Sequence, residues 1–186
     1  MKSLHIILHK MVDTLASKDR TYLYLTRIKE LIRRYTEGKK IILEIGCRRG
    51  ETYFQFPDQT YIGLDLEYLF LKQFKESLTN FCLPLIQADA TQLPLAMKSI
   101  DALYVLQTLE LMEKRLVEIS LRECRRVGKV DSIYFFQFLN RWSLQHTITG
   151  RRHWRGDLKY SYKALTYLKS RKLLKESGFD VIDEFH

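Results

Sequence analysis

The chain has 186 residues, of which 46% are hydrophobic and 28% are charged, with eight Gly and three Pro. This composition excludes disordered, fibrous and repeat proteins, and it predicts one soluble globular domain with a single core. The net charge of +9 favours anionic partners such as phosphate-rich molecules, although the basic residues are spread along the whole chain.

The cysteines and the apolar runs exclude several further classes of protein. Cys47, Cys82 and Cys124 are far apart and form no Cys-x-x-Cys pair, so we expect no zinc site and a reducing, cytoplasmic environment. The first apolar stretch, residues 4–8, is too short and too polar for a signal peptide. No run is long enough to span a bilayer.

The N-terminal region, residues 1–38, shows a helical pattern. Apolar residues recur at helical spacing, at Tyr24, Ile28, Leu31 and Ile32. Basic residues occupy the other side of the predicted helix, at Arg27, Lys29, Arg33 and Arg34. We predict one or two amphipathic helices that form a cap or a partner surface.

From residue 39 to residue 186, short apolar runs alternate with helical patterns. We predict strands at residues 41–45, 61–64, 83–87, 100–106, 133–138 and 179–185, and helices at 68–78, 112–127 and 162–177. Gly178 is expected to end the last helix in a left-handed conformation. The alternation predicts a three-layer, doubly wound α/β fold with a mostly parallel sheet, in a single domain over residues 1–186.

The most informative segment is the turn after the first of these strands, Leu-Glu-Ile-Gly-Cys-Arg-Arg-Gly at residues 43–50. Glycine at such a turn lets the backbone approach a ligand closely, and ligands of open α/β sheets bind beyond the carboxyl ends of the strands. The spacing differs from the Gly-x-Gly-x-x-Gly fingerprint, which disfavours a nicotinamide cofactor. The alternative is an ordinary strand-to-helix turn.

This segment resembles the first motif of class I S-adenosylmethionine-dependent methyltransferases of the small type-11-like group, where an acidic residue begins a glycine loop. The resemblance runs from Lys40 to the C-terminus and implies a Rossmann-like fold with S-adenosyl-L-methionine as cofactor. It implies that Gly46, Cys47 and Gly50 line the methionine end of the cofactor. Glu44 would hold the cofactor amino group, directly or through water.

Two later segments resemble further motifs of the same family. Asp65, followed by Leu66, would accept hydrogen bonds from both ribose hydroxyls; the alternative role for Asp65 is a helix N-cap. Asp89 and Ala90 would read the adenine edge. Residues 99–106 resemble the fourth strand of the family. Asp101 lies at the start of this strand and is expected to be structural, because a carboxylate there usually accepts hydrogen bonds from neighbouring backbone donors.

The residues after the fourth strand and a basic aromatic loop form the predicted acceptor side of the site. Gln107 leads to the cofactor, and the acceptor would be bound by Glu110, Arg151, Arg152, His153, Trp154 and Tyr160. Interleaved cations and aromatic rings suit RNA, and a small-molecule acceptor is equally consistent. The alternative is a basic surface loop anchored by tryptophans. No catalytic base and no metal ligand are identified.

The chain departs from the family pattern in two places. Arg48 replaces the middle glycine of the loop, where a Cβ and a long cation must now fit. The chain also ends directly after the predicted sixth strand, so we expect the family's antiparallel seventh strand to be missing. The sheet edge left exposed would then require a homodimer or a partner protein.

Three functions remain open on the sequence. The first is a methyltransferase acting on an unidentified small molecule or RNA. The second is a catalytically degenerate domain of the same fold that binds a protein or a nucleic acid. The third is a nucleotide-binding protein that takes another adenosine compound. No Asn-Pro-Pro-Tyr-like segment follows the fourth strand, which argues against amino methylation of DNA bases.

Overall fold

Strands and helices alternate along most of the chain in the computed structural model, which describes residues 4–10, 18–53, 59–78, 82–139 and 165–185. The strands are β1 Leu4–Lys10, β2 Ile41–Ile45, β3 Thr60–Asp65, β4 Leu85–Gln87, β5 Ile100–Val105, β6 Gly128–Leu139 and β7 Asp180–Phe185. The helices are α1 Lys18–Thr36, α2 Tyr68–Ser77, α3 Lys114–Val127 and α4 Tyr167–Glu176, with a short 3₁₀ turn at Leu109–Leu111.

One sheet of seven strands organises these elements in the order β4-β3-β2-β5-β6-β1-β7. Every strand pairing among the described residues is parallel. The chain runs outward from β2 to β3 and β4, then crosses back to place β5 on the other side of β2. This reversal between β2 and β5 is a topological switch point, which opens a crevice at the carboxyl ends of the strands.

Successive side chains of β2 point to opposite faces of the sheet and contribute to a hydrophobic core on each face. Leu43 and Ile45 face a cluster that includes α3 and α4, whereas Ile42 faces a second cluster that includes α1 and α2. The helices contribute buried apolar stripes, with Ile28 and Ile32 of α1 completely covered. The predicted three-layer, doubly wound architecture is therefore confirmed.

The ends of two elements follow from local hydrogen bonding. Gly178 has φ 81° after α4, and the Phe179 N–H donates to the carbonyl of Leu174, as expected for a left-handed helix end. At the amino end of β5, Asp101 accepts from the Ile41 N–H at 2.9 Å and from the Lys129 ammonium at 2.7 Å. Asp101 is thus structural, at the opposite end of the sheet from the crevice.

The N-terminal region differs from the prediction. Residues 18–36 form the expected helix, but residues 4–10 form β1, so the prediction of a wholly helical cap is wrong there. The run Leu-His-Ile-Ile-Leu is rich in β-branched and apolar residues, which favours a strand once neighbours are available on both sides. These neighbours are β6 and β7, both parallel to β1.

Strand β1 also changes the expected edge of the sheet. No antiparallel strand occurs among the described residues, but β1 gives the sheet seven strands, and its edges are β4 and β7. The edge of the sheet therefore gives no reason to expect a homodimer or a partner protein in place of a missing strand. In the part of the chain described, no helix is long and apolar enough to cross a membrane.

Candidate functional site

The crevice at the switch point is bordered by the ends of four strands. The turn at residues 46–50, here called the glycine loop, follows β2, and the segment from Gln107 follows β5. Asp65 is the last residue of β3, and Asp89 lies two residues beyond β4. Because parallel strands end at the same edge of the sheet, the topology brings these predicted site residues together.

The glycine loop is packed tightly against its neighbours. Gly46 has φ 77°, and a Cβ at that position would lie 2.0 Å from the Thr108 hydroxyl oxygen. Gly50 has φ 79°, and its Cβ would lie 2.2 Å from the Phe74 ring. Both positions therefore require glycine for conformation and for space. The loop is held against the turn after β5 and against α2.

Asp65 joins the glycine loop to the start of α2. One carboxylate oxygen accepts from the Arg48 N–H at 2.8 Å and the other from the Glu67 N–H at 2.9 Å. The N-cap of α2 is Glu67, so Asp65 does not take the alternative N-cap role. An ionised carboxylate has about four acceptor sites, so Asp65 retains capacity for ligand hydroxyls.

Asp89 begins a tight turn after β4. Its Oδ1 accepts from the backbone N–H and the hydroxyl of Thr91, at 2.8 and 2.7 Å. Its Oδ2 accepts no hydrogen bond from the described residues. Ala90 is buried next to it, and the Ala88 N–H donates to the carbonyl of Asp65 at 3.0 Å. The exposed side of Asp89 is therefore open to a donor such as an amino group.

Glu44 lies inside the sheet rather than in the open crevice, with 1% of its surface exposed. It accepts hydrogen bonds from three hydroxyl groups: Thr52, Tyr61 at 2.5 Å and Tyr104 at 2.9 Å. Burial raises the pKa of Glu44 to about 7, against the lowering effect of these hydrogen bonds. Through Thr52, this carboxyl group ties the segment after the glycine loop to the sheet.

The remaining predicted residues differ in how far they reach the crevice. The side chain of Cys47 is buried against β3, so only its backbone is placed to contact a ligand. Leu66, beside Asp65, is 60% exposed. Gln107 is partly exposed and has φ 52°, a conformation that non-glycine residues adopt rarely. Glu110 is 3% exposed in the 3₁₀ turn. Its contact with a substrate stays a prediction.

Arg48 adopts a glycine-like backbone conformation with φ 49°, which keeps the turn intact without a glycine. Its guanidinium lies 5.5 Å from the centre of the Phe70 ring, on α2. The guanidinium forms no ion pair with Glu44 or Asp65; the contact between Arg48 and Asp65 is made by the backbone N–H of Arg48. The replacement is therefore compatible with the loop.

Sequence reasoning missed several residues that hold the site together. Tyr104 stands opposite Glu44 in the β2–β5 register, and Tyr61 belongs to the neighbouring strand β3. Tyrosines on both strands that flank a buried glutamate were the available signal. Thr108, which packs on Gly46, and Phe70, which carries the Arg48 side chain, gave no such signal.

Part of the predicted acceptor side lies outside the described residues. This applies to Arg151, Arg152, His153, Trp154 and Tyr160, together with the whole segment 140–164. Within the described residues, no group of three or more His, Cys, Asp and Glu side chains is placed to hold a metal ion.

The hydrogen-bond acceptors at the crevice suit the cofactor that the resemblance implies. Asp65 and Asp89 place carboxylate oxygens at the ends of adjacent strands, and the oxygens of such groups accept from hydroxyl and amino donors. The glycine loop follows β2, next to the end of β3 that carries Asp65, and lies at the switch point between β2 and β5. A molecule that combines a ribose, an adenine and an amino acid matches these acceptors, so the residues present fit S-adenosyl-L-methionine.

Comparisons with known proteins agree with this geometry. The family model described as "Methyltransferase domain" matches residues 43–136, which is half of the chain and runs from within β2 to within β6. None of the curated proteins matches the chain in sequence.

Solved structures share the fold at low sequence identity. A protein from Pyrococcus horikoshii OT3 has a TM-score of 0.70 at 15% identity, over 89% of this chain and 84% of that one. A SAM-dependent methyltransferase from Thermotoga maritima has a TM-score of 0.64 at 16% identity, over 88% and 77%. A protein from Methanococcus maripaludis, assigned as an S-adenosyl-L-methionine-dependent methyltransferase, has a TM-score of 0.55 at 17% identity, over 65% of this chain and 58% of that chain.

Proposed function

The chain belongs to the methyltransferase domain family, and from this premise we propose that it transfers a methyl group from S-adenosyl-L-methionine to a small-molecule or RNA acceptor. The observation that carries the proposal is the junction at Asp65, whose carboxylate spans the glycine loop and the start of α2 at the switch point. Acceptor oxygens there are suited to the two hydroxyls of a ribose.

The residues around the crevice divide the work of binding. Asp65 accepts from the ribose, Asp89 accepts from the adenine amino group, and the buried methyl of Ala90 packs beside it. The backbone at Gly46 to Gly50 lies against the methionine part. Glu44 acts behind the loop through Thr52, or reaches the cofactor amino group through water. Each of these roles is a prediction from the geometry and the resemblance.

The catalytic demand on the protein is small. Bound S-adenosyl-L-methionine supplies a methyl group already activated on its sulfonium, so alignment of the acceptor provides much of the rate. Gln107 follows β5 at the crevice and is partly exposed, so an acceptor can contact it. Glu110, in the 3₁₀ turn that follows, is 3% exposed. The net charge of +9 favours an acceptor that carries negative charge. No described feature favours a catalytically degenerate domain.

Transfer of an isotope-labelled methyl group tests this function. Purified protein with labelled cofactor is offered two acceptor pools, total RNA and a small-molecule extract, which are then separated by size. We expect label in one pool. Asp65→Asn should reduce it at least about tenfold, because a hydrogen bond to a charged acceptor contributes on the order of 1.5–3 kcal/mol.

Asp101→Asn is the matched control, because it makes the same chemical change at the opposite end of the sheet. Label in neither pool, with protein that is folded and binds the cofactor, would refute methyl transfer to these two classes of acceptor. Equal loss in both variants would mean that the effect of Asp65→Asn is general destabilisation.

A further inference from the structure

Two cations converge on one aromatic ring beside the glycine loop. The guanidinium carbons of Arg48 and Arg49 lie 5.5 and 5.2 Å from the centre of the Phe70 ring. The Arg49 Nε also donates to the Gln73 side-chain oxygen at 2.5 Å. The Arg48 side chain, which is partly exposed, and the Arg49 side chain, which is exposed, therefore both contact α2.

Neither guanidinium is neutralised by a carboxylate of the described residues. The ion pairs among all the described residues, with N to O distances of 2.7 to 3.9 Å, are formed by other lysines and arginines. The nearest acidic neighbour in sequence, Glu51, accepts from the backbone N–H of Arg49 at 3.2 Å. Two like charges gathered on one ring repel each other, and an anion would relieve that repulsion.

The backbone at Arg48 carries an additional cost. Its φ of 49° lies in the left-handed region, which costs a side-chain-bearing residue on the order of 1 kcal/mol relative to glycine. Strained positions of this kind concentrate at functional sites. The arginine stands where the family pattern has glycine, one hydrogen bond away from Asp65. Fold stability alone would favour glycine at this position.

We propose that Arg48 and Arg49 form a binding site for a phosphate group of the methyl acceptor. This inference rests on the proposed function. The planar guanidinium fork matches phosphate oxygens and binds them with two parallel hydrogen bonds. A phosphate at the edge of the Phe70 ring can accept from both arginines. The phosphate belongs either to a small phosphorylated molecule or to the backbone of RNA.

Binding of inorganic pyrophosphate and of a short single-stranded RNA, each measured by calorimetry at controlled salt, tests the site. The double variant Arg48→Gln with Arg49→Gln should weaken pyrophosphate binding about tenfold or more. For RNA, it should reduce the slope of log K against log salt by about 1.4, the value for two lost phosphate contacts on a single strand. RNA binding much tighter than pyrophosphate binding identifies the polymer as the source of the phosphate.

The matched control is Lys72→Gln with Lys75→Gln, which removes the same amount of charge from α2, the helix that the two arginines contact. Equal weakening in both double variants would reduce the effect to net charge and overturn the site, as would unaltered pyrophosphate and RNA binding in the arginine variant. S-adenosylhomocysteine is titrated into the unmodified protein in parallel. Pyrophosphate binding without S-adenosylhomocysteine binding would contradict the proposed function while supporting the anion site; the reverse result would contradict only the site.

Discussion

The carboxyl group of Glu44 is enclosed by side chains of both neighbouring strands. Tyr61 and Tyr104 donate to one oxygen and Thr52 to the other, and almost none of the residue is exposed. Loss of hydration disfavours the charged form more than three hydroxyl donors favour it, so the pKa rises to about 7. The negative charge of Glu51 acts in the same direction.

This raised pKa predicts how stability depends on pH. The folded state holds the Glu44 proton more tightly than the unfolded state, so the contribution is complete below about pH 4.5 and is lost as pH rises to about 7. We expect the free energy of unfolding of Glu44→Gln, relative to the unmodified protein, to rise over this interval by up to roughly 3 kcal/mol. Urea unfolding at a series of pH values measures the difference.

Glu37→Gln, the same substitution at an exposed position, is the matched control. A flat difference between Glu44→Gln and the unmodified protein from pH 4.5 to 7 would contradict the raised pKa.

The sequence was informative about residues whose role is set by the local chain. Gly46 and Gly50 were predicted from their place after a strand and Asp65 from the resemblance to the family motif, and the structure puts all three at the carboxyl ends of the strands. The partners of Glu44 were not predicted, because they depend on strand register. The conformation of Arg48 was equally hidden, since no sequence pattern states that an arginine takes a left-handed φ.

At the scale of elements, helix α3 holds the segment that carries Asp89. Arg126 donates to the carbonyls of Leu93 and Leu95 at 2.8 and 2.9 Å, and Glu123 accepts from the Leu93 N–H at 2.8 Å. Arg126 and Glu123 also bond to each other at 2.7 Å. These hydrogen bonds fix the loop after β4 to helix α3.

We expect Arg126→Ala to lower the free energy of unfolding by about 1–3 kcal/mol, because it removes charge-assisted hydrogen bonds to two carbonyl groups. Cofactor affinity should fall as well, since the position of Asp89 is no longer fixed. Denaturant unfolding and S-adenosylhomocysteine titration measure the two effects. Arg122→Ala, on the exposed face of the same helix, should leave both nearly unchanged. Equal effects of the two substitutions would contradict the anchoring role.

The prediction of helices and strands was accurate where the hydrophobic pattern was long, and it failed for β1, whose strand conformation depends on pairing with distant strands. The predicted helices agree with α2 and α3 to within two residues at each end. Strand β1 was not predicted, because a short apolar run at the start of a chain has no periodicity that separates strand from helix. Its partners β6 and β7 lie more than 110 residues away along the chain.

At the scale of the whole molecule, the order of the strands determines where a ligand can bind. The reversal between β2 and β5 places the glycine loop and the Gln107 turn on opposite sides of one crevice, with Asp65 and Asp89 at adjacent strand ends. This arrangement was predictable from the alternation of elements. The acceptor was not, because the fold supports many acceptors and the site residues alone distinguish them.

Calorimetric titration with S-adenosylhomocysteine tests whether this crevice binds S-adenosyl-L-methionine through Asp65. We expect a single site in the unmodified protein, binding at least about tenfold weaker in Asp65→Asn, and unchanged affinity in Asp101→Asn. Absence of binding to the folded, unmodified protein would contradict the claim, and so would equal affinity in all three proteins.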